Sequence, residues 1–201
     1  MPYAAAAFYF DLSSPEAYLA AERVMHVLPG PAEWQPVLAR ELPGRASFTR
    51  FDSAALEQVF REQMSARAAA LELQPLRWPE PFPFDSSLAM RVATYAKSIG
   101  RTVPFAQAAY RQAFAGGHDL QDTNYVLIAA AACEMHPTAV LRGAETRSVA
   151  RALAAATAVA SSIGVVEVPA VAIEGRVFHG EGSLEAAAAQ MLGERVPGRA
   201  S

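Results

Sequence analysis

Strand signals in this chain lie near its two ends, and a long block of helical patterns separates them. Short apolar, aromatic or turn-flanked runs mark the strands, and helical spacing of apolar residues marks the helices beside them. The strands are predicted at 5–12, 34–38, 169–173 and 176–178, and the adjoining helices at 13–28 and 183–192. A β-α-β opening favours parallel strands, so the sequence predicts one α/β sheet assembled from both ends of the chain.

The first helix has a well-defined start. Ser13-Ser14-Pro15-Glu16 offers a serine N-cap, a proline at the first helical position and a carboxylate in the first turn. Pro29-Gly30-Pro31 ends this helix before the second strand begins. The sequence therefore places the helix start directly after the first strand, which ends near Asp11.

The block between the two ends predicts a helical insertion. Residues 53–73 place Leu56, Val59, Phe60 and Leu71 on one helical face, and Asp85 is a predicted N-cap for the next helix. Further helical patterns continue to Gly164 without a strand signal. We expect a discontinuous α/β domain formed by 1–44 and 163–201, interrupted by an all-α domain over 45–162.

Composition excludes several classes of function. Hydrophobic residues make up 52% and charged residues 18% of the 201 positions, which predicts a sizeable core. The net charge is −3 and Lys97 is the single lysine, so a basic groove for nucleic acid is not expected. No segment has the pattern of a signal peptide or of a membrane span, and we expect a cytoplasmic protein without a membrane partner.

The chain contains one cysteine, Cys133. A single cysteine excludes an internal disulfide, a dithiol redox cycle within the chain and a cysteine-based zinc site. Its alanine-rich surroundings favour a buried, unreactive thiol. The four histidines lack close metal-ligand spacing, so no metal site is expected.

Three segments carry a family resemblance. The stretch Phe8-Tyr9-Phe10-Asp11-Leu12-Ser13-Ser14-Pro15 resembles the opening of 2-hydroxychromene-2-carboxylate isomerases and kappa-class glutathione transferases. Gly164-Val165-Val166-Glu167-Val168-Pro169 and Gly175-Arg176-Val177-Phe178-His179-Gly180 resemble later segments of the same family. The resemblance implies a thioredoxin-like fold with an inserted all-α domain, glutathione as the cofactor and a homodimer.

Ser14 is the candidate catalytic residue. A helix N-terminus presents unpaired N–H groups and a positive potential, which favour an anion and lower the pKa of a thiol held there. The resemblance implies that the Ser14 hydroxyl donates a hydrogen bond to the glutathione sulfur and holds it as a thiolate. The alternative is that Ser14 serves only as an N-cap, worth about 1 kcal/mol.

Val168 and Pro169 form the second candidate element. The resemblance implies a cis bond before Pro169, with Val168 offering its backbone to the cysteine moiety of glutathione. The alternative is an ordinary proline at the start of a strand.

Several positions depart from the family pattern. Glu16 replaces an aromatic residue; its carboxylate would repel a thiolate, or it could act as a general base. Ala17 replaces a serine. After Gly180, relatives carry an acidic residue and an arginine that contact the γ-glutamyl end, whereas this chain has Glu181-Gly182. Glu181 either substitutes for that acidic residue from one position earlier or is a solvated loop carboxylate.

These features predict a glutathione-dependent isomerase of the 2-hydroxychromene-2-carboxylate isomerase type. The expected substrate is a small aromatic-degradation intermediate with a carboxylate, which would undergo reversible thiolate addition. Two alternatives stay open: a kappa-like glutathione transferase, and a thioredoxin-fold binding protein without catalysis. The cleft between the sheet and the helical block is the expected pocket.

Overall fold

A computed structural model describes residues 5–44, 51–180 and 182–193. Four strands lie within this part of the chain: β1 (Ala6–Phe10), β2 (Ala32–Pro36), β3 (Ala170–Ile173) and β4 (Arg176–His179). The helices of the first and last segments are α1 (Pro15–Ala21), α2 (Val24–Val27) and α9 (Ser183–Met191). Between β2 and β3 lie α3 (Ala54–Ala70), α4 (Ser87–Ser98), α5 (Thr102–Tyr110), α6 (Thr123–Ala131), α7 (Pro137–Glu145) and α8 (Arg147–Ser162).

The four strands form one sheet in the order β2-β1-β3-β4. β1 and β2 are parallel, as the β-α-β opening predicts, while β1–β3 and β3–β4 are antiparallel. In the β3–β4 hairpin, Glu174 and Gly175 both have positive φ, at 49° and 79°. This geometry confirms the predicted Glu-Gly turn. The described residues between β2 and β3 contain no strand, which agrees with a helical insertion.

A large hydrophobic cluster joins one face of the sheet to the helical block. Phe8 and Phe10 of β1 pack against Trp34, and Phe10 also contacts Tyr110 of α5. All four side chains are almost completely buried. The insertion therefore packs directly on the sheet beside the end of β1, and the proposed division into two domains stays a prediction.

Three details of the helices differ from the sequence prediction. The first predicted helix divides into α1 and α2, because the chain turns at Glu22–Arg23. In α3, Leu56 and Val59 are about half exposed, and the helix instead buries Met64 and Ala68.

Of the predicted face, Phe60 and Leu71 are partly buried against the core together with Met64 and Ala68, whereas Leu56 and Val59 are not. The N-cap position of α4 falls on Ser86, one residue after the predicted Asp85. Asp85 nevertheless accepts the backbone N–H of Ser87 at 2.9 Å and so performs the capping function.

Two features of the described residues bear on the function classes. In those residues no helix combines the length and apolar character that a bilayer crossing needs. The same part of the chain holds no cluster of three histidine, cysteine, aspartate or glutamate side chains arranged around a metal position.

Candidate active site

The sheet register brings two distant segments together at the start of α1. Tyr9 of β1 pairs with Ala170 of β3 in the antiparallel ladder. Residues after Tyr9 therefore run alongside residues before Ala170. This places the loop 11–14, which leads into α1, next to the Val168–Pro169 bond.

Asp11 fixes the loop before α1. Its buried carboxylate accepts the backbone N–H of Ser13 at 3.0 Å, the Ser13 hydroxyl at 2.9 Å and the backbone N–H of Ala39 at 2.9 Å. The Tyr110 hydroxyl donates to the Asp11 carbonyl at 2.9 Å from the helical block. The start of α1 is thus held both by the segment that follows β2 and by α5.

Ser14 is the N-cap of α1 and has no exposed surface. Its Oγ accepts the backbone N–H of Ala17 at 3.0 Å. The same hydroxyl donates to Oε2 of Glu16 at 3.1 Å. A serine hydroxyl carries one proton. The Ser14 proton, which the family resemblance assigns to the glutathione sulfur, is therefore donated to the Glu16 carboxylate instead.

Glu16 stands between Ser14 and the surface. Burial raises the pKa of this carboxyl, and the nearby charge of Glu167 adds to that effect. The hydrogen bond from Ser14 and the positive charge of Arg67 oppose it. Glu16 is consequently a partly buried acid that gives up its proton less readily than an exposed glutamate.

A groove of about 300 Å³ opens beside Glu16. One wall comes from the helical block, since Arg67 of α3 lines it, and the opposite side comes from the segments around β3, β4 and α9. The lining residues are Glu16, Leu19, Ala20, Arg23, Arg67, Ala70, Leu71, Pro169, Gly180, Gly182, Ser183, Leu184 and Glu185. Among the sequence-predicted site residues, Pro169 and Gly182 thus line this groove, while Ser14 lies behind Glu16.

The bond between Val168 and Pro169 is cis, as the family resemblance implies. The Pro169 carbonyl accepts the backbone N–H of Gly180 at 3.1 Å, which holds this turn against the end of β4. Within the described parts of the chain, no hydrogen bond involves the backbone of Val168. Val168 itself is almost completely buried, and in the groove lining this segment is represented by Pro169.

Gly182 is the N-cap of α9 and adopts a left-handed conformation with φ of 77°, which glycine tolerates best. Beside it, Arg23 and Glu185 form an ion pair across the groove rim. Glu181 lies outside the described residues, so its predicted contact with the γ-glutamyl end stays a prediction.

Three charged residues of this region have no individual signal in the sequence. Arg67 reaches the groove because α3 packs along α1, and Arg23 because the chain turns after α1. Glu167 lies next to the Val168–Pro169 bond and influences Glu16 through space. Their positions depend on tertiary packing, which residue spacing does not encode.

Cys133 lies after the end of α6 and is 7% exposed. Burial raises the pKa of its thiol, while the charge of Arg101 acts in the opposite direction. It does not line the groove. The prediction of a buried cysteine is confirmed.

Comparison with known proteins identifies the architecture. The family model described as a DSBA-like thioredoxin domain matches residues 6–191. No curated protein matches the chain. The chain therefore has the predicted α/β, thioredoxin-like fold with helices inserted between its second and third strands.

Solved structures share this fold at low sequence identity. A 2-hydroxychromene-2-carboxylate isomerase superposes with a TM-score of 0.81 at 14% identity, covering 93% of this chain and 94% of that one. A probable DsbA oxidoreductase from Streptomyces coelicolor gives 0.75 at 19% identity, with coverages of 99% and 94%. The cytosolic disulfide reductase DsbM from Pseudomonas aeruginosa, in a structure with GSH, gives 0.59 at 11% identity, with coverages of 86% and 87%.

Proposed function

This chain belongs to the family of DSBA-like thioredoxin domains, and on that premise we propose that it is a glutathione-dependent isomerase of the 2-hydroxychromene-2-carboxylate isomerase type. The observation that carries the proposal is a serine, Ser14, at the start of α1 beside the cis Val168–Pro169 bond. The chain's one cysteine, Cys133, is buried away from this groove. A reactive thiol at the groove must therefore come from a ligand.

The residues of the groove fit a tripeptide thiol. The backbone of Val168, which makes no hydrogen bond within the described residues, is the proposed partner of the peptide portion of glutathione, which can pair with an extended segment. Arg23 and Arg67 supply positive charge for its two carboxylates. Gly182 leaves space at the groove rim, where a Cβ would meet no atom within 4 Å. Glu181 is the proposed partner of the γ-glutamyl amine.

When bound, glutathione would supply a thiolate that adds reversibly to the substrate and leaves again after bond rotation or ring opening. The chain's task is to hold the sulfur at the tip of α1, where unpaired N–H groups and the helix dipole favour an anion. Ser14 is the proposed donor to that sulfur. The proposed substrate is an aromatic-degradation intermediate bearing a carboxylate, in keeping with the isomerase that shares the fold.

One observation favours a second candidate, a binding protein without catalysis. Ser14 is fully buried and its proton is directed to Glu16, so the hydroxyl must change partner before it can serve a sulfur atom. A protein in which this exchange never occurs would retain the groove and lack the chemistry.

Calorimetric titration with glutathione, followed by a turnover assay, tests the proposal. We expect saturable binding, and we expect 2-hydroxychromene-2-carboxylate to isomerise with glutathione present in much less than stoichiometric amount. Consumption of one glutathione per product would instead indicate a kappa-like transferase. Binding without turnover would support the non-catalytic alternative, and the absence of binding at millimolar glutathione would overturn the proposal.

Ser14→Ala and Ser53→Ala are matched variants for this assay. Both serines are helix N-caps, but Ser53 lies on α3 outside the groove. We expect the first variant to lose turnover and the second to retain it.

A further inference from the structure

The hydroxyl of Ser14 is already fully engaged. Its oxygen accepts the N–H of Ala17 at 3.0 Å, and its proton is donated to Glu16 at 3.1 Å. The Ser14 hydroxyl can donate a hydrogen bond to a sulfur anion in the groove only if it no longer donates to Glu16. The function proposed above therefore requires a change at Glu16 when the ligand binds.

The groove also restricts the number of negative charges beside Ser14. An ionised Glu16 and a thiolate would both lie within hydrogen-bond distance of the Ser14 hydroxyl. Two acids so close together do not both ionise readily, because their negative charges repel. One negative charge, shared between two acids, is the arrangement that this geometry favours.

The surroundings of Glu16 strengthen its affinity for a proton. Burial acts most strongly, and the charge of Glu167 from the segment before β3 acts in the same direction. Tyr110 of α5 also lies within electrostatic range of Glu16. Arg67 from α3 is the positive group that opposes protonation. The net effect, with burial as the largest cause, is a pKa of Glu16 above its ordinary value.

Resting on the proposed function, we propose that Glu16 accepts the proton of the bound glutathione thiol and thereby releases the Ser14 hydroxyl to the sulfur. The S–H bond breaks, an O–H bond forms on the Glu16 carboxylate, and the total charge of the site is unchanged. The Ser14 hydroxyl proton rotates from Oε2 towards the sulfur, while the Ala17 N–H keeps the Ser14 oxygen in place. The reverse transfer regenerates the thiol when the ligand leaves.

A count of protons per thiolate tests this assignment without reference to turnover. Thiolate formation is measured by its ultraviolet absorbance at saturating glutathione. Proton release is measured by calorimetric titration in two buffers of different ionisation enthalpy, at about pH 7.5, where ordinary carboxyl groups are ionised. We expect the parent protein to form thiolate and to release close to zero protons per thiolate, because Glu16 retains them.

Glu16→Gln removes the proton acceptor. We expect this variant either to release about one proton per thiolate, since solvent then takes the proton, or to bind glutathione without the thiolate band. Glu22→Gln is the matched control: Glu22 caps the other end of α1, pairs with Arg111 and does not line the groove. It should behave as the parent protein does.

Three outcomes would overturn the inference while leaving glutathione binding intact. They are release of about one proton per thiolate by the parent protein, binding by the parent protein without a thiolate band, and a Glu16→Gln variant identical to the parent in both measurements. Failure of the parent protein to bind glutathione at all would instead refute the proposed function, so the two failures are distinguishable.

Discussion

Helices α1 and α3 begin with the same chemistry and end in different roles. Each has a serine N-cap whose hydroxyl accepts the N–H three residues later, at 3.0 Å for Ser14 and 3.2 Å for Ser53. Each has a glutamate in its first turn, Glu16 and Glu57. Ser14 has no exposed surface, however, whereas Ser53 is exposed.

The two glutamates show why the N-terminus of α1, and not that of α3, is a candidate site. Glu57 accepts hydrogen bonds from Arg61, one turn further along its own helix. Glu16 instead accepts the Ser14 hydroxyl and faces a groove whose far side contains Pro169. A capped helix is a local feature of sequence. A site arises only where the fold places a second element across from it.

The largest expected contrast is in turnover. Removal of the hydroxyl in Ser14→Ala should lower kcat by about 10²–10³-fold, the effect of losing one donor to a developing or bound anion. Ser53→Ala should leave kcat within twofold of the parent value, on the order of experimental scatter, because Ser53 does not line the groove. Steady-state kinetics with catalytic glutathione measures both.

Stability provides the control for this pair. Both variants lose an N-cap, and urea unfolding should show that each is destabilised by about 1 kcal/mol. Equal turnover by the two variants would remove the distinction between α1 and α3 and reduce Ser14 to a capping residue.

The loops before the two helices should also differ. Asp11→Ala removes a buried carboxylate that accepts three hydrogen bonds, including one from Ala39. We expect it to lower the free energy of unfolding by about 2–3 kcal/mol. Asp52 is exposed before α3, and Asp52→Ala should stay within about 0.5 kcal/mol of the parent. Chemical denaturation followed by circular dichroism distinguishes these values, and equal losses would contradict the anchoring role of Asp11.

The sequence predicts the location of the site better than its electrostatics. Ser13-Ser14-Pro15-Glu16 predicts the start of α1 because capping and the fixed φ of proline act within a few residues. The helical insertion and the Glu174–Gly175 turn are likewise confirmed, since both depend on local patterns. Local rules are therefore sufficient for the elements that form the frame.

Local sequence rules do not predict the hydrogen bond from Ser14 to Glu16 or the position of Arg67 in the groove. These two features depend on the rotamer of a partly buried glutamate and on the face that α3 presents to α1. Of the four residues that apolar spacing in α3 places on the packed face, Phe60 and Leu71 contact the core, but Leu56 and Val59 are exposed. The face is decided by the shape of the neighbouring elements, so sequence spacing alone does not predict Arg67 in the groove.

The pH dependence of stability should separate Glu16 from another carboxylate of the same groove. The pKa of Glu16 is raised by burial, so the folded state holds this proton more tightly than the unfolded state does. Its contribution to stability is then full below the unfolded pKa and is lost as the pH rises towards the folded pKa. The difference in unfolding free energy, parent minus Glu16→Gln, should fall as the pH rises through this window.

Glu185 should show the opposite sign. Burial acts to raise the pKa of Glu185, but hydrogen bonds, foremost from Arg23, together with the charge of Arg23 give a net lowering. Its contribution is present above the unfolded pKa and is lost as the pH falls through the folded pKa. Parent minus Glu185→Gln should therefore rise with pH. Urea unfolding at several pH values tests both signs, and parallel curves for the two variants would contradict the environment assigned to Glu16.

The smallest expected effect is at the start of α3. Glu57→Gln weakens an ion pair between residues four apart on a helix, which should cost about 0.3–0.5 kcal/mol in the free energy of unfolding. Both partners are partly exposed, so added salt should reduce this cost by screening the parent pair. The Ser14–Glu16 hydrogen bond is partly buried, with Ser14 fully buried, and should respond less to salt. Urea unfolding of Glu57→Gln and Glu16→Gln at low and high ionic strength measures the difference. A strong salt response at Glu16 would mean that water reaches this carboxylate as freely as it reaches Glu57, and the contrast between the two helix starts would then be one of sequence position alone.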